Sequence, residues 1–254
     1  EGDLTTTFNK LELLVFLVAC ICNDVGHTNR TNAFNPKAQM PFSVLYKDQP
    51  VLETFHSSSI INILSKPTCN ILSGLDADQL SEFWKVLIEC ILSTDKSFQM
   101  ELLEKVQENI SKKDGTYDLT NPINKELLLK LLVKCAIHAN LAREFGPEKP
   151  WSISLCEDAF PQINSRTEES LASNDSDKTI AQQQINALET YYLPLFSTLG
   201  KIVPSLQLIA DVVQENYLDW KDIISPDPEH IAKKMKMNTN ENKEGEEDQQ
   251  NPDQ

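Results

Sequence analysis

The apolar positions of this chain fall in blocks with helical spacing, separated by Pro, Gly and polar runs. No stretch alternates with the period of two that a half-buried strand requires. The first block is nearly continuous and predicts a buried helix over Leu11–Cys22. Asn35-Pro36 and Met40-Pro41 interrupt the chain after it. Pro50 is placed to open a second helix, and Val51–Leu64 carries its periodicity. Lys66-Pro67-Thr68 ends that helix. Asp76 or Asp78 then caps a third, predicted over Gln79–Ser93 with Leu80, Phe83, Leu87 and Ile91 inward. Met100, Leu103, Val106 and Ile110 continue a helical pattern up to a loop at 112–115. Asn121 caps Pro122 and starts a strong helix, predicted over Lys125–Ala139. Gly146-Pro147 and Lys149-Pro150 mark a connection, and Gln162–Thr179 reads as a long mobile loop. Two further helices are predicted over Gln182–Leu199 and Leu206–Trp220. The fold class is therefore all-α, a compact multi-helix domain over residues 1–224 without a sheet. An acidic tail over 225–254 is predicted to be disordered.

Composition narrows the function classes. The 254 residues carry a formal net charge of −15. That argues against a nucleic-acid partner, since phosphate binding needs clustered Lys and Arg. No membrane span is expected: Leu11–Cys22 is too short to cross a bilayer and lacks the basic flank of a signal peptide. The six cysteines, at 20, 22, 69, 90, 135 and 156, form no Cys-x-x-Cys pair. They read as buried free thiols in a reducing compartment, which predicts a cytoplasmic protein. The chain does not begin with Met and reads as a fragment.

The densest cluster of possible metal ligands follows the first apolar block. Asp24 and His27 are three apart, and a helix continued through them would put both side chains on one face, close enough to share an ion or a water. The alternative is a helix end whose polar residues satisfy orphan carbonyls.

This stretch also resembles a known pattern. Asp24, His27 and Asn32 match the His-Asp-x-x-His-x-Gly-x-x-Asn motif of the class I cyclic-nucleotide phosphodiesterases. Asn23 stands at a metal-binding His of that motif and Asn29 at its Gly. Leu45-Tyr46-Lys47-Asp48 through Glu53 and His56 resembles a second family motif, Leu-Tyr-Asn-Asp-x-x-Val-Leu-Glu-Asn-His-His. Leu92-Ser93-Thr94-Asp95 is similar to Leu-Ala-Thr-Asp, with Lys96 where the family has an apolar pocket residue. Lys134-Cys135-Ala136-Ile137 is similar to Lys-Cys-Ala-Asp, and Gln184-Ile185-Asn186-Ala187 to Gln-Ile-Gly-Phe. The matches run in order from about Leu11 to Trp220.

The resemblance implies a pocket where Asn23, Asp24, His27, Glu53, His56, Asp95 and Ile137 converge. In the family, two His and two Asp hold a pair of metal ions that generate hydroxide. Of those positions only Asp24 keeps its ligand; Asn23 and Ile137 have lost theirs, and the first His has no counterpart in the chain. His138, next to Ile137, points about 100° away on a helix. The vestigial catalytic set is His27, Glu53, His56 and Asp95. Gln184 corresponds to the glutamine that hydrogen-bonds the purine, and Ala187 to the Phe that clamps it. The implied function is a phosphodiesterase-like pseudoenzyme, kept as an interaction or scaffold module with protein partners in a larger assembly, for example a cytoskeletal one. Alternatives are a nucleotide-binding sensor, or an active cyclic AMP or cyclic GMP phosphodiesterase completed by further sequence. The first reading expects no cofactor beyond weak Mg²⁺ at Asp24 and no bound cyclic nucleotide; the enzyme reading expects a Zn/Mg pair.

Overall fold

A computed structural model describes residues 4–27, 50–111, 116–163 and 176–235. The expectations placed on Asn29, Asn32, Leu45–Asp48, the 112–115 loop and 164–175 fall outside the described residues. Every regular element among the described residues is helical, and none is a strand.

Helix α1, Lys10–Cys22, begins at a reciprocal cap. Glu12 N donates to Asn9 Oδ1 at 2.9 Å, and Asn9 N donates to Glu12 Oε2 at 2.7 Å. Helix α2 runs Val51–Leu64, as predicted. Helix α3, Ala77–Leu92, starts at Asp76 rather than Asp78, through the same kind of box with Gln79. Helix α4, Gln99–Ser111, precedes α5, Pro122–Ile137, where Ile123 N donates to Asn121 Oδ1 at 2.9 Å.

Helix α5 is the hub. Leu127, Leu128, Leu129, Leu131, Leu132, Val133, Lys134 and Cys135 are all buried, so the middle of the helix is covered over most of its circumference. It packs on α1, α3 and α4, and on α8 from the second half of the chain. Lys125 Nζ reaches Glu12 Oε2 at 2.9 Å and ties α5 to the start of α1.

The structure departs from the sequence reading in several places. Helix α6, Phe145–Ile163, occupies the stretch that Gly146-Pro147 and Lys149-Pro150 marked as a connection and extends to residue 163 of the expected loop. Pro147 lies in its first turn, where a missing N–H has no intrahelical partner to lose. The long helix predicted over Gln182–Leu199 is three segments. These are α7, Ser176–Ala187; a wide turn of π-helix, Leu188–Tyr192; and α8, Leu193–Ile202. Leu193 N donates five residues back to Leu188 O, and the next residue, Pro194, has no N–H to give. Helix α9, Gln207–Ile224, packs on both α7 and α8.

The disordered tail expected from Ser225 is also corrected in its first part. Residues 228–235 are helical and His230 is buried. Side-chain pairing to α9 holds this segment, and composition alone does not reveal it. Residues 236–254 lie outside the described set. Among the cysteines, Cys90 and Cys135 are buried, Cys20 and Cys22 are half-buried, and Cys69 is exposed, against the expectation of uniform burial; all five are free.

Candidate functional site

The helix does not continue through Asp24 and His27. Helix α1 stops at Cys22, Asn23 N closes its last turn on Ala19 O at 2.9 Å, and the chain then turns tightly. Val25 N donates to Cys22 O at 3.1 Å and His27 N to Asp24 O at 3.0 Å. Gly26 sits at φ +73°, a left-handed conformation that favours glycine. The reading of a helix end is the correct one of the two, yet the turn still brings Asp24 and His27 together.

Against this turn lies His56, on α2. Its side chain is buried, and its Nδ1 donates to Val25 O at 2.9 Å. Its Nε2 lies 3.9 Å from Asp24 Oδ1, and its ring stacks on that of His27 with centroids 5.7 Å apart. Asp24, His27 and His56 each offer a ligand atom, all within 4.8 Å of one another. Burial lowers the pKa of His56, as does His27, while the Val25 hydrogen bond and Asp24 act in the opposite sense.

Two more of the predicted residues, Asp95 and Glu53, lie near Lys134. Its ammonium donates to Ser93 O at 2.8 Å, Thr94 O at 3.1 Å and Asp95 O at 3.0 Å, closing the end of α3. Burial pushes its pKa down to about 8, against the charges of Asp95 and Glu53, which face it. The Asp95 carboxylate accepts from Ser97 N at 2.8 Å and caps the short turn Lys96–Phe98. Sequence matching included Lys134 without assigning it a role. A lysine inside an otherwise apolar run was the available signal.

Asn23 is buried, and Ile137 packs half-buried against the hydrophobic core. His138 does not take over from Ile137. Its ring lies edge-on to Tyr192, 4.9 Å away, and burial, with Lys96 and Lys134 nearby, pushes its pKa down to about 3. Lys96 is exposed and lies 5.7 Å from the ring centres of both Tyr191 and Tyr192, so it turns outward instead of lining a pocket.

Gln184 is buried on α7, and its Nε2 donates to Ser152 O on α6 at 3.4 Å. Ser152 Oγ in turn donates to the buried carboxylate of Glu148, whose pKa burial raises. Ala187, half-buried at the end of α7, offers only a methyl group where the resemblance expects a clamping ring.

The donor set does not fit a pair of bridged metal ions. The amide of Asn23 is a poor ligand beside imidazole, and the side chain of Ile137 has no donor atom.

Comparison with known proteins identifies the family. The family model described as 3'5'-cyclic nucleotide phosphodiesterase matches residues 1–213, and the chain belongs to that family. It is 27% identical over 226 residues to the 3',5'-cyclic-nucleotide phosphodiesterase regA of Dictyostelium discoideum, which covers 85% of this chain and 28% of the relative. It is 30% identical over 210 residues to the high affinity cGMP-specific 3',5'-cyclic phosphodiesterase 9A of Drosophila melanogaster, covering 81% of this chain and 14% of that protein. The chain thus spans well under half the length of these relatives. The crystal structure of the phosphodiesterase domain of the RhoPDE fusion protein from the choanoflagellate Salpingoeca rosetta superposes with a TM-score of 0.78. It is 27% identical and covers 87% of this chain and 71% of that one. No helix among the described residues is long and apolar enough to cross a membrane.

Proposed function

We propose that this chain keeps the phosphodiesterase fold without its hydrolytic centre and acts as a protein-interaction module. The observation that carries this reading is the aliphatic Ile137, set at the end of the most buried helix where the family motif places a metal-binding Asp. Asn23, at the C-terminal end of α1, supports it. The purine side points the same way: Gln184 is engaged with the backbone of α6, and Ala187 has no ring to stack. A lost base–aromatic stack removes on the order of 1–3 kcal/mol of binding. A partner surface is available on α1, where Leu17 is 56% and Ile21 80% exposed on an apolar helix.

The test is a graded set: wild type, Asn23→His, Ile137→Asp and the double variant, assayed on cyclic AMP and cyclic GMP with millimolar Mg²⁺ or Mn²⁺. All four are expected to be silent while remaining folded by circular dichroism. Wild-type turnover that a chelator abolishes would overturn the reading.

A further inference from the structure

Three acidic residues of α9, Glu215, Asp219 and Asp222, follow one another at helical intervals and so share one face. The helical segment 228–235 lies across this face and brings three cations of its own, His230, Lys233 and Lys234, also at helical spacing. We propose that this face of α9, with the Phe145 ring beside it, is a docking surface for a basic helical segment of a partner protein. Residues 228–235 occupy it as an internal stand-in that the partner displaces.

The contacts of the stand-in define what the surface selects. His230 is buried and meets a carboxylate at each ring nitrogen, Asp222 at 2.7 Å from Nδ1 and Glu215 at 3.2 Å from Nε2. A carboxylate can only accept, so both nitrogens donate and the ring is a cation. Lys233 Nζ donates to Glu215 Oε1 at 3.1 Å, and Lys234 Nζ donates to Asp219 Oδ2. Lys234 also lies 5.5 Å from the centre of the Phe145 ring, which stands edge-on to Trp220. Each carboxylate of the row is thus matched by a cation of the segment, so recognition works through charge and spacing.

The same contacts hold the segment weakly. His230 is the only buried residue in 228–235; Ile231 is half-buried, and Ala232 and Lys233 are exposed. With no aliphatic side chain fully buried, the segment gains little from apolar burial, and surface ion pairs are individually weak and screened by salt. A space of about 380 Å³ stays open between the segment and the end of α9, lined by Leu218, Lys221, Pro226 and Pro228. A segment held in this way opens at low cost and leaves the buried Asp219 without its cation.

The chemistry of the partner follows from these two observations. It carries cations at i, i+3 and i+4 of a helix, as His230, Lys233 and Lys234 do. An apolar side chain just before them fills the space against Leu218 that the stand-in leaves open. Arginine suits the last position, where a planar guanidinium meets Asp219 and stacks on Phe145.

The inference rests on the reading of the chain as an interaction module, but its test reads peptide binding rather than hydrolysis, so either can fail alone. The probe is a labelled synthetic peptide with the sequence of residues 225–235 carrying His230→Arg, Lys233→Arg and Lys234→Arg, followed by fluorescence anisotropy against the full chain. The full-length double variant Lys233→Glu/Lys234→Glu repels its own segment from α9. It is expected to lose amide protection in 229–235 and to bind the peptide at least tenfold more tightly than wild type, with the gain lost at high salt. Adding Glu215→Gln and Asp219→Asn should remove the gain; Glu215→Gln alone, a surface change, should remove part of it. Equal affinity of wild type and the lysine variant overturns the proposal, as does a gain that survives the α9 substitutions or protection of 229–235 that persists in the lysine variant. A wild-type dimer in sedimentation that the lysine variant dissolves overturns it too, since the occupant would then be a second copy of this chain.

Discussion

The ammonium of Lys134 lies 3.0 Å from the main-chain oxygen of Asp95, deep inside the protein and away from any bulk water. The same nitrogen also holds Ser93 O and Thr94 O, so one side chain of α5 satisfies three carbonyls at the end of α3. Helix ends that are buried need such a partner.

Lys134→Met keeps the stem and removes every donor. It leaves three buried carbonyls without their partner, and stability is expected to fall by about 2–4 kcal/mol. Equilibrium urea unfolding measures this. A loss under about 1 kcal/mol would mean that the carbonyls find other donors, and that α3 does not depend on α5 for its termination.

Gly26→Ala tests the turn that gathers Asp24 and His27. At φ +73° a side chain is strained, and an added Cβ would stand 3.2 Å from Phe55 Cε1. The expected cost is about 1–2 kcal/mol. Gly26→Asn meets the same ring but tolerates the left-handed backbone better, so it should lose less. Equal losses in thermal or urea unfolding would place the whole effect on the Phe55 contact.

The segment 228–235 should hold to α9 in a pH-dependent way. His230 lies between Asp222, at 2.7 Å from Nδ1, and Glu215, at 3.2 Å from Nε2. Asp219 adds negative charge, while Lys233 and Lys234 pair with Glu215 and Asp219. The hydrogen bond to Asp222, followed by that to Glu215, raises the pKa of His230. A histidine raised on folding contributes stability in full below its unfolded value near 6.5 and loses it as pH rises through the folded value. Amide exchange in 229–235, corrected for intrinsic rates, should show stronger protection at pH 6 than at pH 8.5. His230→Gln should flatten that difference. A pH-independent wild type would show that the packing of this segment, not its ion pairs, holds it in place.

Much of the fold was legible because its signals are local. Asn121-Pro122 marked the start of α5, and the apolar run behind it marked the hub. Val51–Leu64 matched residue for residue, since Pro50 and Lys66-Pro67 bound it on both sides. Helix α6 was missed because Pro147 and Pro150 are read as breakers, whereas Pro147 falls in the first turn, which accepts proline without losing a hydrogen bond, and the helix runs on through Pro150. The helix at 228–235 was missed because its support comes from Glu215, Asp219 and Asp222, which approach it only in the folded chain. In the candidate site, Asp24, His27 and His56 could be named from spacing and resemblance. The bond from His56 to Val25 O could not, because it joins positions 31 apart through tertiary packing. The role of Lys134 was hidden for the same reason: its three acceptors are main-chain atoms and leave no trace in side-chain identity.

The wide turn Leu188–Tyr192 sets the phase between the helices on either side of it. Each residue of an α-helix advances the side chains by about 100°, so one extra residue in a turn offsets everything after it by that angle. Helix α8 therefore presents its faces to α5 and α9 on a clock of its own, separate from the one that aims Gln184 and Ala187 on α7. Tyr191 and Tyr192 stand where the two clocks meet, with Gln99 Nε2 fastened to Tyr191 O at 2.5 Å and the Tyr192 ring against His138. Deleting one residue from this turn would restore a regular helix and rotate one flank against the other, pulling this junction apart. The turn acts as a spacer that lets the purine-side helix and the core helix keep independent alignments in one continuous rod.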